Sequence, residues 1–276
     1  MTVWSVSYIC CEKGIARRNP KKGPESGGVR RKYMLLDRYN EAIDALIAKV
    51  RSTQRENVIR AGEMIADTVA AGNHVYLSRI CHSIENDVIY RGGGPIFYKH
   101  FDYTLSVEKS GRARDRSDLD TSAWGMAAYA LKASDMRPGD LLMVSSVSGR
   151  TAHVVDLAYE AKKMGIRVIA FTSMEYTLAV DAVHPSGKKL YEMVDLAMDN
   201  CAPAAEAMME VPGIEARFAA ASGIACDILL WSMTAVAVEK LQEKGLVPGI
   251  LKSANFPGGS EYNKTVIEPH YREFGW

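Results

Sequence analysis

Charge of one sign, paired cysteines and long apolar runs are all missing from this chain of 276 residues. Lys and Arg number 34 against 33 Asp and Glu, so no overall field is present to hold a polyanion or an anionic membrane. Nucleic acid and lipid surfaces are therefore not expected partners. The five cysteines (Cys10, Cys11, Cys81, Cys201 and Cys226) are odd in number, and beyond the adjacent first pair none is spaced like a metal clip. Reduced thiols in a cytoplasm are expected rather than a disulfide framework. Six histidines show no H-x-x-x-H spacing, so no structural zinc is called for and no cofactor is implied. The most apolar stretch, residues 218 to 238, is interrupted by Ser222, Asp227 and Ser232, which argues against a membrane span. Gly92-Gly-Gly-Pro95 has the glycines of a phosphate loop without its Gly-Lys-Ser/Thr ending, and a nucleotide reading fails.

What is present is the composition of an ordinary globular chain: 47% apolar residues, 24% charged, 22 Gly and 10 Pro. Such a chain can bury a sizeable core. The charge is uneven, however. Residues 1–33 carry eight Lys/Arg against two Asp/Glu, among Pro and Gly and with no signal-peptide core, leaving a mildly acidic remainder. This leader reads either as a basic arm or as a solvated extension ahead of a domain over residues 34–276, and its low hydrophobicity favours the extension.

From Met34 apolar residues recur at three and four, through Leu35, Tyr39, Ile43, Leu46, Ile47 and Val50 and then Val58, Ile59, Met64, Ile65 and Val69, predicting two consecutive helices. Gly72-Asn73 ends them. Short strands are expected at 74–78 and 100–107, and a charged stretch from Glu108 to Asp120 reads as an exposed loop. Thereafter helix 122–133, strand 140–146, helix 151–164, strand 167–173, a short helical turn at 188–193, strand 194–199 and a long apolar helix 217–244 alternate in sequence. Alternation of that kind requires a parallel sheet with right-handed crossovers.

The most informative segment is Leu141-Leu-Met-Val-Ser-Ser-Val-Ser-Gly-Arg-Thr151, a buried strand running through hydroxyls and a glycine into a helix. The carboxyl end of a parallel strand, followed by a helix N-terminus with free N–H groups and the positive end of its dipole, suits an anion. Ser145, Ser146, Ser148 and Thr151 add hydroxyl donors, and Gly149 lets the backbone come close. A phosphate is the natural occupant. The plainer reading is that Ser148 or Thr151 only caps the helix, but four hydroxyls in seven residues exceed what a cap needs.

Ser146-Val-Ser-Gly-Arg-Thr151, followed by Glu160 to Ser173, resembles the S-x-S-G-x-T loop and next strand of the SIS (sugar isomerase) phosphosugar-binding domains. His184-Pro-Ser-Gly-Lys-Lys-Leu-Tyr191 and Ser253 to Asn263 resemble a bacterial branch of these proteins similar to phosphoheptose isomerases, and the likeness extends over residues 34–268. It implies a three-layer α/β/α sandwich around a five-stranded parallel sheet, flavodoxin-like or Rossmann-like, with N-terminal helices, a long C-terminal helix, and assembly as a homodimer or homotetramer. It also implies that Ser146, Ser148 and Thr151, with Ser145 beside them, hold the phosphate of a small sugar phosphate. One departure stands out. Where this branch has Gly-x-Gly-His-Ser, this chain has Arg79-Ile-Cys-His-Ser83, which keeps His82 and Ser83 and puts Cβ atoms where backbone normally approaches the sugar.

Aldose–ketose isomerisation through an enediol needs a base, a proton shuttle and oxyanion donors. His82 and Glu85, three apart at the start of an expected helix, fall on one face. Related isomerases place a glutamate base here and a histidine later, which by resemblance makes Glu85 the base and His82 or His184 the acid. Glu85 as a solvent-facing residue and His184 as an idle loop histidine are equal alternatives. Ser83, Lys188, Asn255 and Asn263 are further candidates for sugar or phosphate contact, although Lys188 can equally be solvated and the Asn255–Asn263 loop can equally be a helix–helix turn. His74, His100 and His153 read as packing or surface residues. Two functions stay open, an isomerase and a non-catalytic sugar-phosphate sensor, because fold alone decides neither. Residues 34–70 lack the basic recognition helix of a DNA-binding regulator.

Overall fold

The structure, a computed structural model, describes residues 34–106, 111, 115, 117 and 124–276. The basic leader, Cys10 and Cys11 and most of the charged stretch from 108 to 120 lie outside the described residues. Gly111, Asp115 and Ser117, within that stretch, are exposed.

Helix α1 runs unbroken over Leu35–Ala70, where two helices were expected. The polar run at 51–57 that suggested a break contains neither Pro nor Gly. It is a solvated face with one buried member: Gln54 Oε1 accepts from the Asp199 amide at 3.1 Å. The buried stripe Leu46, Val50, Gln54, Ala61, Ile65 and Val69 stays on one side throughout. After α1 come β1 (Val75–Leu77), β2 (Tyr98–His100), α2 (Met126–Ala133), β3 (Leu141–Ser145), α3 (Ala152–Lys163), β4 (Arg167–Thr172), α4 (Met174–Leu178) and β5 (Leu196–Asp199). A hairpin of β6 (Ala207–Met209) and β7 (Phe218–Ala220), not anticipated, precedes α5 (Ser222–Glu243) and trims the start of the expected long helix. Two short helices, α6 (Gly259–Tyr262) and α7 (Glu268–Phe274), close the chain.

The five-stranded sheet has the order β2-β1-β3-β4-β5 and is parallel throughout. Alternation along each strand builds two cores. Val75, Leu77, Leu141, Met143, Ile169 and Phe171 join a core with α1 and α5, while Tyr76, Leu142, Val144, Val168 and Ala170 join one with α2 and α3. This is the three-layer α/β/α sandwich. Strand β2 is shorter than expected and lies earlier, since beyond His100 the chain leaves the sheet. Gly92 and Gly94 have a packing reason: the stretch Gly93–Ile96 exchanges backbone hydrogen bonds with Gly249–Leu251, and a Cβ on Gly92 would lie 2.8 Å from the Ser253 backbone. Among the described residues no helix is long and apolar enough to cross a membrane.

Helices α1 and α5 meet at Gly62, where a Cβ would lie 2.5 Å from Val236 Cβ and 2.9 Å from the Met233 carbonyl. Gly62→Ala therefore tests packing against propensity. Alanine gains about 1 kcal/mol in an open helix, but overpacking against a β-branched neighbour and backbone costs about 1–3 kcal/mol. Urea denaturation is expected to show a net loss of stability; a gain would mean that the two helices part more easily than their packing indicates.

Candidate functional site

Strand β3 delivers its last residue, Ser145, into a loop whose carbonyls are already occupied. The Ser146 amide donates to the Phe171 carbonyl (3.1 Å), extending the ladder one step beyond β3. The Val147 carbonyl accepts from the Ser173 amide (2.9 Å) and from Thr172 Oγ1 (3.3 Å), and the Gly149 carbonyl accepts from the Leu190 amide (2.8 Å). Gly149 itself turns left-handed with φ +64°, and a Cβ there would fall 2.3 Å from Thr177 Oγ1. Thr177 cannot retreat without losing its 2.8 Å hydrogen bond to Thr172 Oγ1. Only glycine fits both the conformation and the space.

The hydroxyls meet at the mouth of α3. Ser146 Oγ donates to Thr151 Oγ1 at 2.8 Å and accepts from the Thr151 amide at 3.3 Å. Thr151 stands at the N-cap, yet its side chain makes no capping bond. The first turn of α3 therefore keeps the N–H groups that have no intrahelical partner, and the helix dipole directs its positive end there. Ser148 is half-buried on the same loop.

A cleft of about 580 Å³ opens beside this loop, walled by Ser145, Ser146 and Thr151 on one side and by Arg79, Cys81 and His82 on another. Ser78, Asp102, Tyr103, Thr104 and His153 complete its polar lining, with Met126, Val144, Val147, Val154 and Leu157 supplying apolar surface. These five polar residues were not singled out from the sequence as site candidates. His153 follows the serine loop at the second position of α3, a placement that could have marked it; Asp102 to Thr104 follow β2, a strand whose end the sequence misplaces. Arg79 Nη2 reaches Asp102 Oδ2 at 3.2 Å across the rim, an exposed pair worth about 0–1 kcal/mol. Burial pushes the Tyr103 phenol up, aided by Asp156 and Asp102, so it stays a neutral hydroxyl donor at the wall.

Cys81 is left-handed, at φ +49°. A glycine would hold that conformation without strain. Its Sγ lies 3.5 Å from Ser145 Oγ and 3.1 Å from Cys226 Sγ on α5. The hydrogen bond with Cys226, outweighing burial and joined by Ser145, holds the Cys81 thiol below its ordinary range, while burial pushes Cys226 up.

His82 lines the cleft, but the helical face it was expected to share with Glu85 does not form. Cys81 and Ser83 are both left-handed (Ser83 φ +75°), so the chain reverses before entering a short 3-10 turn at Ile84–Asp87. Glu85 is 2% exposed and points inward, its Oε2 accepting from the Ile80 amide at 2.8 Å and its Oε1 3.8 Å from His100 Nε2. It braces the strained loop and does not line the cleft. His184, expected on an exposed loop, is buried: its Nε2 stands 3.6 Å from Asp156 Oδ1, its Nδ1 2.7 Å from Ser186 Oγ, and its ring abuts Trp124 edge-on. Asp156 in turn accepts from the Gly125 and Ala127 amides at the start of α2, so His184 ties α2, α3 and its own loop together. Ser83 and Lys188 are exposed and, like Ser148 and Gly149, stand outside the cleft's lining. So do Asn263, which clamps the Lys252 backbone by two hydrogen bonds (2.9 and 2.8 Å), and Asn255, in a separate surface cup over 254–261.

Residues 38–173, which include most of α1, both walls of the cleft and the serine loop, match the SIS domain family. The chain is 33% identical over 247 residues to a UPF0309 protein of Streptomyces griseus, with 87% of this chain and 96% of that protein covered. The chain belongs to the UPF0309 family. Among solved structures this UPF0309 chain is similar to the phosphoheptose isomerase GmhA from Neisseria gonorrhoeae, at 16% identity and a TM-score of 0.47, covering 74% of this chain and 97% of that one. It is also similar to the Vibrio vulnificus NanR protein complexed with ManNAc-6P, at 17% identity and a TM-score of 0.45, covering 78% and 69%.

The geometry at Gly149 makes a sharp expectation for this UPF0309 protein. Gly149→Ala should destabilise it by about 1–3 kcal/mol, the cost of an overpacked core position, with loss of cooperative unfolding confined to neither helix alone. Unchanged stability by denaturant titration would mean that the loop is looser than its hydrogen bonds indicate.

Proposed function

We propose that this UPF0309 protein binds a sugar phosphate in the cleft, with the phosphate on the serine loop, and interconverts its aldose and ketose forms through an enediol. The observation that supports this most is the pair of hydroxyls at the mouth of α3. Ser146 and Thr151 bond to each other, and neither caps the helix. An incoming phosphate would exchange that single neutral bond for charge-assisted ones from both hydroxyls and from the first N–H groups of α3. Ser145 and Ser148 would flank it.

The carbon skeleton then lies along the cleft toward His82 and His153. An imidazole takes and gives a proton near neutral pH, which is the work of moving hydrogen between adjacent carbons. The Tyr103 hydroxyl is a donor for the oxygen that gains charge in the enediol. Glu85 is assigned the part of holding the Ile80–Glu85 loop, and His184 that of holding α2 on α3.

A second reading has its own support. The one carboxylate lining the cleft among the described residues is Asp102, and it is paired with Arg79. A site without a free carboxylate base suits a sensor that binds the same ligand without turning it over.

The two readings separate in heavy water. The protein is incubated with a panel of hexose, heptose and amino-sugar phosphates, and deuterium at the carbon next to the carbonyl is followed by NMR. Isomerase action predicts exchange that His82→Ala or His153→Ala abolishes while binding stays within about threefold; tight binding with no exchange by the wild type identifies the sensor. Thr151→Val keeps the shape and removes the hydroxyl, and a hydrogen bond to a charged group is worth about 1.5–3 kcal/mol. Its Kd by calorimetry should rise about ten- to a hundredfold; an unchanged Kd would move the phosphate off this loop.

A further inference from the structure

Cys81 and Cys226 play no part in the sugar reading above, and their placement points to separate chemistry. Cys81 is half-buried in the wall of the cleft, so a small solute entering the cleft meets its sulfur. Cys226 is fully buried on α5 behind it, where Asn200 Nδ2 donates to its sulfur at 3.5 Å. The two sulfurs are 3.1 Å apart, and about 1 Å of closure brings them to bonding distance. Each lies on an element fixed independently: Cys81 between β1 and the Glu85 carboxylate that holds Ile80, Cys226 in the first turns of α5. The third described cysteine, Cys201, sits against Thr53 on α1 and outside this pair.

We propose that Cys81 and Cys226 are a redox-modified dithiol, in which a hydroperoxide entering the cleft oxidises Cys81 and Cys226 resolves it to a disulfide tying the β1 loop to α5. In the first step Cys81 sulfur, as thiolate, attacks the peroxide: an S–O bond forms, the O–O bond breaks, and water (from hydrogen peroxide) or an alcohol leaves with a proton. In the second, Cys226 sulfur attacks Cys81 sulfur: the S–S bond forms, the S–O bond breaks, and a second water leaves with the Cys226 proton. The pair loses two protons and two electrons, and the peroxide takes them up. The hydrogen-bonded environment that favours the Cys81 thiolate and disfavours that of Cys226 sets this order of attack. Such a bond is compatible with a reducing compartment, where disulfides form transiently in response to oxidants. Oxidation removes the thiol proton of Cys81, whose sulfur lies 3.5 Å from Ser145 Oγ in the cleft lining, so the modification alters the cleft wall directly.

The test needs no sugar and so stands whether or not the phosphosugar reading holds. Folded full-length protein is treated with a few equivalents of hydrogen peroxide, alkylated, digested with trypsin and mapped without reductant. Residues 80–91 and 218–240 are expected as one linked species, two hydrogens lighter than the sum of its parts, with loss of both free peptides and their recovery on adding dithiothreitol. In Cys226→Ser the same treatment in the presence of dimedone should label Cys81, and in Cys81→Ser it should leave Cys226 unlabelled. Wild-type protein that stays folded and shows no 80–91/218–240 link, or that links either peptide to Cys10, Cys11 or Cys201 instead, overturns the proposal. Because the decisive readout is the wild-type peptide map, it survives a variant that fails to fold.

Discussion

Hydroxyls can serve an anion only if they are not free to satisfy themselves elsewhere, and in this fold that condition is met by the backbone beneath them. The loop after β3 has its carbonyls at Val147 and Gly149 occupied by amides from beyond β4 and from Leu190. Its one sharp turn sits at a glycine pressed against the Thr172–Thr177 hydroxyl pair. With the acceptors engaged below, what faces the cleft is a set of donors at the positive end of a twelve-residue helix. The parallel register of β3 with β4 puts those supporting amides in reach, so the sheet order and the chemistry at its edge are one arrangement.

The opposite wall follows a different logic. The chain bends through Cys81 and Ser83 in left-handed conformations that non-glycine residues hold only under strain of about 1–3 kcal/mol each. Something must hold such a loop, and the buried Glu85 carboxylate does so at the Ile80 amide. A carboxylate committed in this way is poorly placed to abstract a proton from a ligand. The same bend that demands the brace also puts a thiol within reach of both the cleft and Cys226, so strain, support and redox chemistry share one short segment.

Much of this was legible in residues alone. The nearly unbroken apolar runs of Leu141–Ser145 and Arg167–Thr172 announce strands covered on both faces, and the run of serines into a helix announces where an anion would sit. What escaped did so for identifiable reasons. A helical period for His82 and Glu85 assumed right-handed backbone, whereas Cys81 before His82 and Ser83 after it are both left-handed. His184 looked exposed because Pro and Gly flank it, yet Asp156, distant in sequence, draws it inward. The polar face of α1 imitated a break, since Gln54 finds its buried partner only once β5 is in place. His153 was passed over because its role depends on the cleft, which exists only after β1, β2 and β3 come together. Tertiary contacts between segments far apart in the chain decide the last three.

The most direct test of the account is a crystal structure of the protein bound to a hexose 6-phosphate that it has been shown to retain in solution. The account predicts phosphate oxygens within about 3 Å of Thr151 Oγ1, Ser146 Oγ and the backbone amides of Ala152 and His153, with the hydroxyl-to-hydroxyl bond between Ser146 and Thr151 replaced. A phosphate bound elsewhere, with that bond intact at the mouth of α3, would contradict it.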